Sequence, residues 1–417
     1  MEVEEVYQAG NMASANILTI SPSVTDTLHL DNPSPATLES STSSKRKYSS
    51  DSPLIDIPNM APPVKVAFNP AAHLSFKPPS KVFTMEDLGL PEDTGVSAVA
   101  VSEPFQLFTP EAIQRMRAEV LSTRVWENCQ YSSNLSQCQL RGFAPDYAPF
   151  VYDAWKSPET LAIISEVAGV DLVPQMDFEI GHINISIQSE EQKHESIAAF
   201  AEKKSREADE GVAGCPWEDD NPIVDWHTDS YPFVCVLMLS ECTNMIGGET
   251  ALRTGTGEIM KVRGPQMGCA VVLQGRYIEH QALRAFGTTE RITMVTSFRP
   301  KSAAIKDDTV LTTVRGVSDL PELYFQYSEY RLEMLEERIR QKRKEMQEQK
   351  RTHRGFDTCA MKKFVKEQEE FLAKMDQQIL EDSKVTKGFC DDSHLLSSDL
   401  KEKSRKKART TVASEIV

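Results

Sequence analysis

The spacing of apolar residues between positions 105 and 169 predicts two helices. In the first, Thr109 is followed by a proline and a glutamate, which is the order of an N-cap, a first-turn proline and an acidic first turn. Apolar residues then recur at helical spacing to about residue 128. A second helix of this type begins after Ser157 and ends near Gly169. We expect both helices to flank a sheet.

Between residues 178 and 188 the apolar positions alternate, which is typical of a half-buried strand. Residues 178–188 form the first predicted strand, and residues 189–222 are interpreted as an insertion over the sheet edge. Gly, Pro and Asn turns separate the later β-rich runs. These runs are residues 234–239, 250–253, 259–262, 269–273 and 291–298. Short strands at this spacing predict a sandwich, a barrel or a jelly roll.

The C-terminal part changes character again. Residues 320–382 are rich in charged helix formers, and they predict two amphipathic helices that dock on the domain or pair with another chain, as in a homodimer. A continuous coiled coil is disfavoured because the heptads break at residues 352–357. The predicted stripe consists of Leu332, Leu335, Ile339 and Met346.

The two ends of the chain have a different composition. Residues 1–80 are rich in Ser, Pro, Thr and Asn, with too few apolar residues to offset the entropy of ordering, so they are predicted to be disordered. Residues 383–417 are predicted to form a disordered basic tail. The basic segments at 45–47 and 403–409 are either nuclear-import signals or solubilising sequences, and the sequence leaves both readings open.

Composition narrows the function classes. A net charge of -16 argues against a protein that coats nucleic acid. The eight cysteines include no CxxC pair, which is typical of reduced thiols in the cytoplasm or nucleus. The chain lacks an apolar run of about 18 residues and a secretory pattern at its start. We therefore expect a cytoplasmic or nuclear protein that is not secreted and has no membrane partner.

One constellation carries candidate chemistry. His227 and Asp229 are two residues apart, next to the predicted strand at 234–239, so both side chains can approach a metal from one side. His280 follows a later β-rich run and supplies a third ligand. Two imidazoles and one carboxylate on one face leave coordination positions open, which suits non-haem iron(II). A closed structural zinc site would need four ligands, usually including thiolates.

The ordered set of His227, Asp229, His280 and Arg291 resembles the motif of the iron(II)- and 2-oxoglutarate-dependent dioxygenases. The resemblance covers residues 178–300. It implies an α+β protein with a mainly β core of the double-stranded β-helix type (jelly roll, cupin-like) and flanking helices, within a dioxygenase domain at 81–305. The Ser-rich head and the run of the domain look similar to the fungal branch of the family.

The resemblance also implies the cofactors and their residues. Iron(II) would be held by the two histidines and Asp229, and 2-oxoglutarate and O2 would be co-substrates, with succinate as a product. The guanidinium of Arg291 suits the distal carboxylate of 2-oxoglutarate through two charge-assisted hydrogen bonds. Thr293 would face the same pocket. On the early strand, Asn184 either reaches the co-substrate or forms a structural polar pair with Ser186.

Other residues near the motif have structural interpretations. Gly247 and Gly248 indicate a hairpin turn. Trp226 is expected in the core, whereas Tyr231 is a candidate to line the pocket. The remaining histidines of interest are interpreted as surface or core residues: His73, His182, His194 and His353.

The sequence leaves the substrate open. A small molecule is the expected substrate, with a nucleic acid or a protein as the alternative if the basic segments direct nuclear import. Two other functions are considered: a catalytically silent scaffold with a helical interaction tail, and a metal enzyme that uses the same triad without 2-oxoglutarate. Arg291 argues against the second, because it would then have no dicarboxylate to bind.

Overall fold

The computed structural model of the chain describes residues 66–401, apart from residues 137, 188–190, 192, 195–196, 199–222, 244, 263, 265, 391–393 and 399. Most of the predicted insertion at 189–222 lies outside the described residues. The same holds for residues 1–65 and 402–417, including both basic segments.

Helices flank the sheets at both ends of the described chain. They are α1 (Pro70–His73), α2 (Pro110–Val120), α3 (Thr123–Cys129), α4 (Ala144–Tyr147), α5 (Pro149–Lys156), α6 (Pro158–Ala168), α7 (Leu320–Arg351) and α8 (Thr358–Gln378). In the part of the chain that the structure describes, none of these helices is long and apolar enough to cross a membrane.

The strands between these helices are short, apart from the last. They are β1 (Leu74–Lys77), β2 (Val82–Thr84), β3 (Val99–Ser102), β4 (Phe105–Phe108), β5 (Gln130–Tyr131), β6 (Gln139–Leu140), β7 (Leu172–Pro174), β8 (His182–Ile187), β9 (Val224–His227), β10 (Phe233–Met238), β11 (Ile246–Gly247), β12 (Thr250–Arg253), β13 (Ile259–Val262), β14 (Cys269–Leu273), β15 (His280–Ala282), β16 (Ala285–Phe286) and β17 (Glu290–Pro300).

Antiparallel pairing organises the strands into a large sheet and a small one. The large sheet has the order β1-β4-β14-β10-β17-β8-β6-β5, with β2, β3 and β7 beside this path. The small sheet has the order β13-β12-β15-β9, and β11 pairs with β16 separately. The protein is thus a mixed α/β molecule built on antiparallel sheets.

The hydrophobic core lies on both faces of the large sheet. Successive residues of a strand point to opposite faces, so Cys235 packs with the helices α2, α5 and α6 while Val234 packs toward the small sheet. On that second face, Val234 shares a cluster with Leu252 of β12 and Val262 of β13. The two sheets therefore enclose the face that carries the candidate site.

Two predicted elements are divided in the structure. The helix predicted to run to residue 128 breaks after α2, because Ser122 accepts a hydrogen bond from the Val125 amide and caps a new helix, α3. The strand predicted at 178–188 begins only at His182. A 3-10 turn occupies Asp177–Glu179, and Gly181 has φ 74, a conformation that ends the turn before β8 starts.

The predicted disorder at 1–80 is wrong for residues 70–77. Asn69 accepts a hydrogen bond from the Ala71 amide and caps α1, and β1 then pairs with β4 at the edge of the large sheet. The sequence signal was weak because the helix has one turn and the strand depends on a distant partner.

The predicted disordered tail at 383–417 is also wrong for its described first part. Cys390, Leu396 and Leu400 are buried. Cys390 donates its amide to Asn134 and accepts a hydrogen bond from that side chain (2.8 and 3.1 Å). The Ser397 amide and hydroxyl both donate to the Glu279 carboxylate. The described residues 388–390 and 394–398 thus pack on the domain through contacts that are distant in sequence.

Candidate metal centre

Strand pairing in the small sheet brings the two histidines together. His227 ends β9 and His280 begins β15, and the two are directly paired across the antiparallel ladder. Their ring centroids are 4.3 Å apart. His280 therefore starts a new strand after a turn at residues 274–279, rather than ending the run that begins with β14.

The carboxylate completes a compact group. Asp229 lies just beyond β9, where its amide donates to the Gly275 carbonyl (2.9 Å). Its Oδ1 lies 3.5 Å from Nε2 of His227, and its Oδ2 lies 3.6 Å from Nε2 of His280. One ligand atom from each of the three residues lies within 4.8 Å of the others. Three donors at this separation can share one ion.

Both imidazoles are oriented by backbone carbonyls. Nδ1 of His227 lies 2.7 Å from the Asp225 carbonyl, and Nδ1 of His280 lies 2.8 Å from the Ile278 carbonyl. A carbonyl can only accept, so each Nδ1 carries the proton and each Nε2 has a lone pair directed toward Asp229. This is the arrangement by which proteins fix the tautomer of a metal-binding histidine.

The surroundings fit a cation. Oδ2 of Asp229 is buried and has no hydrogen-bond partner, and a buried, unpaired carboxylate oxygen is costly unless an ion or proton compensates it. Gly275 allows the carboxylate to sit there, since a Cβ at that position would lie 1.7 Å from Oδ2. Burial, followed by the nearby His227, lowers the pKa of His280 to about 4, so His280 is neutral and can coordinate at physiological pH.

Arg291 lies in the same cavity, and it has no counter-ion among the residues that the structure describes. It is buried on β17, opposite Ser186 of β8, and its Nε has no hydrogen-bond partner. Within the described ranges no acidic side chain forms an ion pair with it. Burial lowers the pKa of Arg291, yet a guanidinium stays charged in proteins. An uncompensated buried cation calls for an anionic ligand.

All six residues singled out in the sequence line one cavity of about 150 Å³. On β17, Thr293 is buried two residues beyond Arg291, and it pairs with Asn184 of β8. The Asn184 side chain accepts a hydrogen bond from the Ser136 hydroxyl at 3.3 Å. Asn184 thus lines the cavity and has a structural partner, while the predicted pairing with Ser186 is replaced by Ser136.

No family model matches this chain, and no curated protein matches it. Solved structures give weak similarities. A 2OG-Fe(II) oxygenase family oxidoreductase from Burkholderia pseudomallei is 12% identical, with 40% of this chain and 62% of that one covered and a TM-score of 0.26. AviO1 from Streptomyces viridochromogenes is 13% identical over 49% and 90% of the two chains, with a TM-score of 0.32.

The non-heme alpha ketoglutarate dependent epimerase SnoN from nogalamycin biosynthesis is also 13% identical, with coverage of 51% and 91% and a TM-score of 0.30. Identities and TM-scores this low assign neither a family nor a fold to the chain.

A second polar group lines the cavity, and sequence analysis missed most of it. Arg141 and Glu179 form an ion pair whose side chains are 3% and 2% exposed. The Tyr231 hydroxyl donates to Glu179 (3.0 Å), and Nη1 of Arg141 lies 3.1 Å from Nδ1 of His182. All four residues line the cavity. This buried polar wall is named the Arg141–Glu179 wall below.

One of these residues had a usable sequence signal. His182 is two positions before Asn184, so strand alternation places both on one face. It lines the cavity and lies outside the candidate metal group, which is consistent with its interpretation as a surface or core histidine rather than a ligand. Burial, followed by the charge of Arg141, holds the pKa of His182 well below its usual value. The pairing of Arg141 with Glu179 has no local signal, because 38 residues separate them.

The structure also places the other residues that were interpreted near the motif. Gly247 and Gly248 both have positive φ, but the predicted hairpin turn at these residues is wrong, because Gly247 belongs to β11 and pairs with Ala285 of β16 while β12 pairs with β13 and β15. Tyr231 lines the cavity as expected. His73 is buried, and its Nδ1 accepts a hydrogen bond from the Asn69 amide, which is a structural role.

Proposed function

We propose that the chain is an iron(II)- and 2-oxoglutarate-dependent oxygenase. One observation supports this above the others: the His227, Asp229 and His280 cluster lines the same cavity as the buried Arg291, which has no counter-ion among the described residues. A facial set of three ligands leaves positions open for a chelating ligand and O2. The guanidinium of Arg291 would bind a second carboxylate on that ligand through charge-assisted hydrogen bonds.

Each residue has a defined part in this proposal. His227, Asp229 and His280 would hold iron(II), which supplies the redox chemistry that couples decarboxylation of 2-oxoglutarate to oxidation of the substrate. Arg291 orients the co-substrate through its distal carboxylate, and Thr293 and Asn184 are proposed as additional polar contacts. The apolar side of the cavity, which includes Val234, Val236, Val271, Leu273 and Val295, excludes water from the reacting atoms.

The fold type and the substrate class are also part of this proposal. We infer a double-stranded β-helix in which the large and small sheets are the two halves, because His227 and His280 come from the small sheet and Arg291 comes from the large one. The proposed substrate is a small molecule that undergoes hydroxylation, desaturation or demethylation. The alternative of a protein or nucleic-acid substrate, a nuclear or cytoplasmic location and a fungal relationship are proposed on sequence features alone.

Anaerobic titration tests the proposal. Purified apoprotein is titrated with iron(II) and then with 2-oxoglutarate, and absorbance is followed for the weak visible charge-transfer band of a chelated 2-oxo acid. We expect the band in the wild type and its absence in His227→Ala. A folded wild-type protein that binds iron without a band would favour a triad enzyme of another kind. A protein that binds no iron would favour the scaffold function.

A further inference from the structure

Helix α7 carries an apolar stripe on its exposed side at a strict spacing of seven residues. Phe325, Leu332, Ile339 and Met346 are between 36% and 65% exposed. The opposite side of the helix is already occupied, since Leu323, Tyr327 and Met334 are buried against the domain and α8. The stripe is therefore separate from the contacts that attach α7 to its own chain.

Charged residues alternate with this stripe at intervals of four and three. They are Glu329, Glu336, Arg343 and Lys350, and all four are exposed. Together the eight positions follow the spacing of the two core positions of a coiled coil. The sign of the charge changes along the helix: the two residues nearer its start are acidic and the two nearer its end are basic.

These four charges differ from others on the same helix. Arg340 pairs with Glu337, and Arg351 pairs with Glu348, both within one turn. In the described part of the chain, no ion pair involves the four charges of the stripe. An ion pair that uses these four charges therefore requires a second surface with the opposite order of charges.

We infer that the stripe binds the same stripe of a second copy of this chain in an antiparallel two-helix pair. A two-fold axis at Ile339 brings Glu336 to within one residue of the position opposite Arg343 of the other copy, and Glu329 to within one residue of the position opposite Lys350. It also places Leu332 opposite Met346, and Ile339 opposite its counterpart. A two-fold interface is self-complementary in this way. Parallel pairing would place like charges together, which is destabilising.

The length of the helix is sufficient for such a contact. The segment from Glu329 to Lys350 spans about 33 Å at 1.5 Å per residue. Charged residues at one of the two core positions weaken a coiled coil while fixing its register. We therefore expect a reversible, concentration-dependent dimer rather than an obligate one.

Charge exchange on the full-length protein tests the orientation. Glu336→Lys and Arg343→Glu should each weaken the dimer about ten-fold in sedimentation equilibrium, because each places like charges at two symmetric positions. The double variant restores both pairs in the antiparallel arrangement and should recover wild-type association. In a parallel pair the double variant would remain repulsive. Equal weakening in all three variants overturns the inference.

Cysteine cross-linking tests the register independently. In a Cys359→Ser background, Ile339→Cys should form a disulfide with its own counterpart. Leu332→Cys alone should not, whereas a mixture with Met346→Cys should cross-link. Self-cross-linking of Leu332→Cys at the same rate as Ile339→Cys would contradict the antiparallel register. The background protein without added cysteines measures non-specific cross-linking.

Other occupants of the stripe give distinct results. A wild-type protein that remains monomeric from about 1 to 100 µM, a range in which moderate interfaces associate, overturns the inference. Dimerisation that appears only after removal of residues 402–417 also overturns it, and would assign the stripe to this chain's own terminal segment. Because the stripe is remote in sequence from the candidate metal centre, iron binding by each variant serves as a folding control.

Discussion

Gly275→Ala is expected to abolish high-affinity iron(II) binding without unfolding the protein. A Cβ at position 275 would lie 1.7 Å from Oδ2 and 2.6 Å from Cγ of Asp229. Real Cβ atoms essentially never approach closer than 3.0 Å, so the carboxylate must move by about 1.3 Å. Metal–ligand distances tolerate only about 0.2 Å, so the displaced oxygen can no longer coordinate.

The expected loss follows from the number of ligands. Removing a group that merely orients a ligand costs about 10- to 100-fold in metal affinity, so loss of one of three ligands should cost at least about 100-fold. Anaerobic calorimetric titration with iron(II) measures it, and thermal unfolding of the apoproteins checks the fold. The matched control is Gly355→Ala, at a glycine whose Cβ would have no neighbour within 4 Å. Wild-type affinity in Gly275→Ala would refute Asp229 as a ligand in this geometry.

Three further outcomes are expected. Arg291→Ala should raise the 2-oxoglutarate concentration needed for the charge-transfer band at least about 30-fold, because a charged partner of the co-substrate is lost. The affinity for iron(II) should be nearly unchanged, and equal losses of iron(II) and 2-oxoglutarate binding would contradict the role of Arg291. Because burial lowers the pKa of His280 to about 4, only the unfolded apoprotein binds this proton between pH 6.5 and 4. Urea unfolding of the apoprotein should therefore show a free energy of unfolding that decreases as pH falls through this range, by up to about 3 kcal/mol from this group, and His280→Gln should show a shallower dependence. In the Arg141–Glu179 wall, Glu179→Gln should lower the free energy of unfolding by about 3–5 kcal/mol, because it leaves the buried guanidinium of Arg141 uncompensated. Tyr231→Phe removes only one hydrogen bond and should lower it by about 1 kcal/mol. Equal losses in urea unfolding would show that the ion pair is not the main contribution.

The large local elements were accessible from sequence because their signals are local. The helix that became α6 has a first-turn proline, apolar residues at helical spacing and Gly169 in the left-handed conformation at its end. The strands β12 and β13 match the predicted bounds, since short β-rich runs between turn residues are recognised from neighbours along the chain.

The prediction failed where one side chain or a distant strand decides the local structure. Ser122 divides a helix whose apolar periodicity continues across the break. Residues 70–77 are ordered because β1 pairs with β4 at the sheet edge, and residues 394–398 are ordered because Ser397 binds Glu279 across 118 positions. No local pattern carries information about such partners.

For the candidate site, the sequence by itself determined the types of residue and their order: His227, Asp229, His280 and Arg291. Only the tertiary structure decided that Gly275 makes room for the Asp229 carboxylate and that an additional polar wall borders the cavity. The physical reason is that ligand identity is a property of single residues, whereas steric room, burial and charge compensation arise between segments that folding brings together.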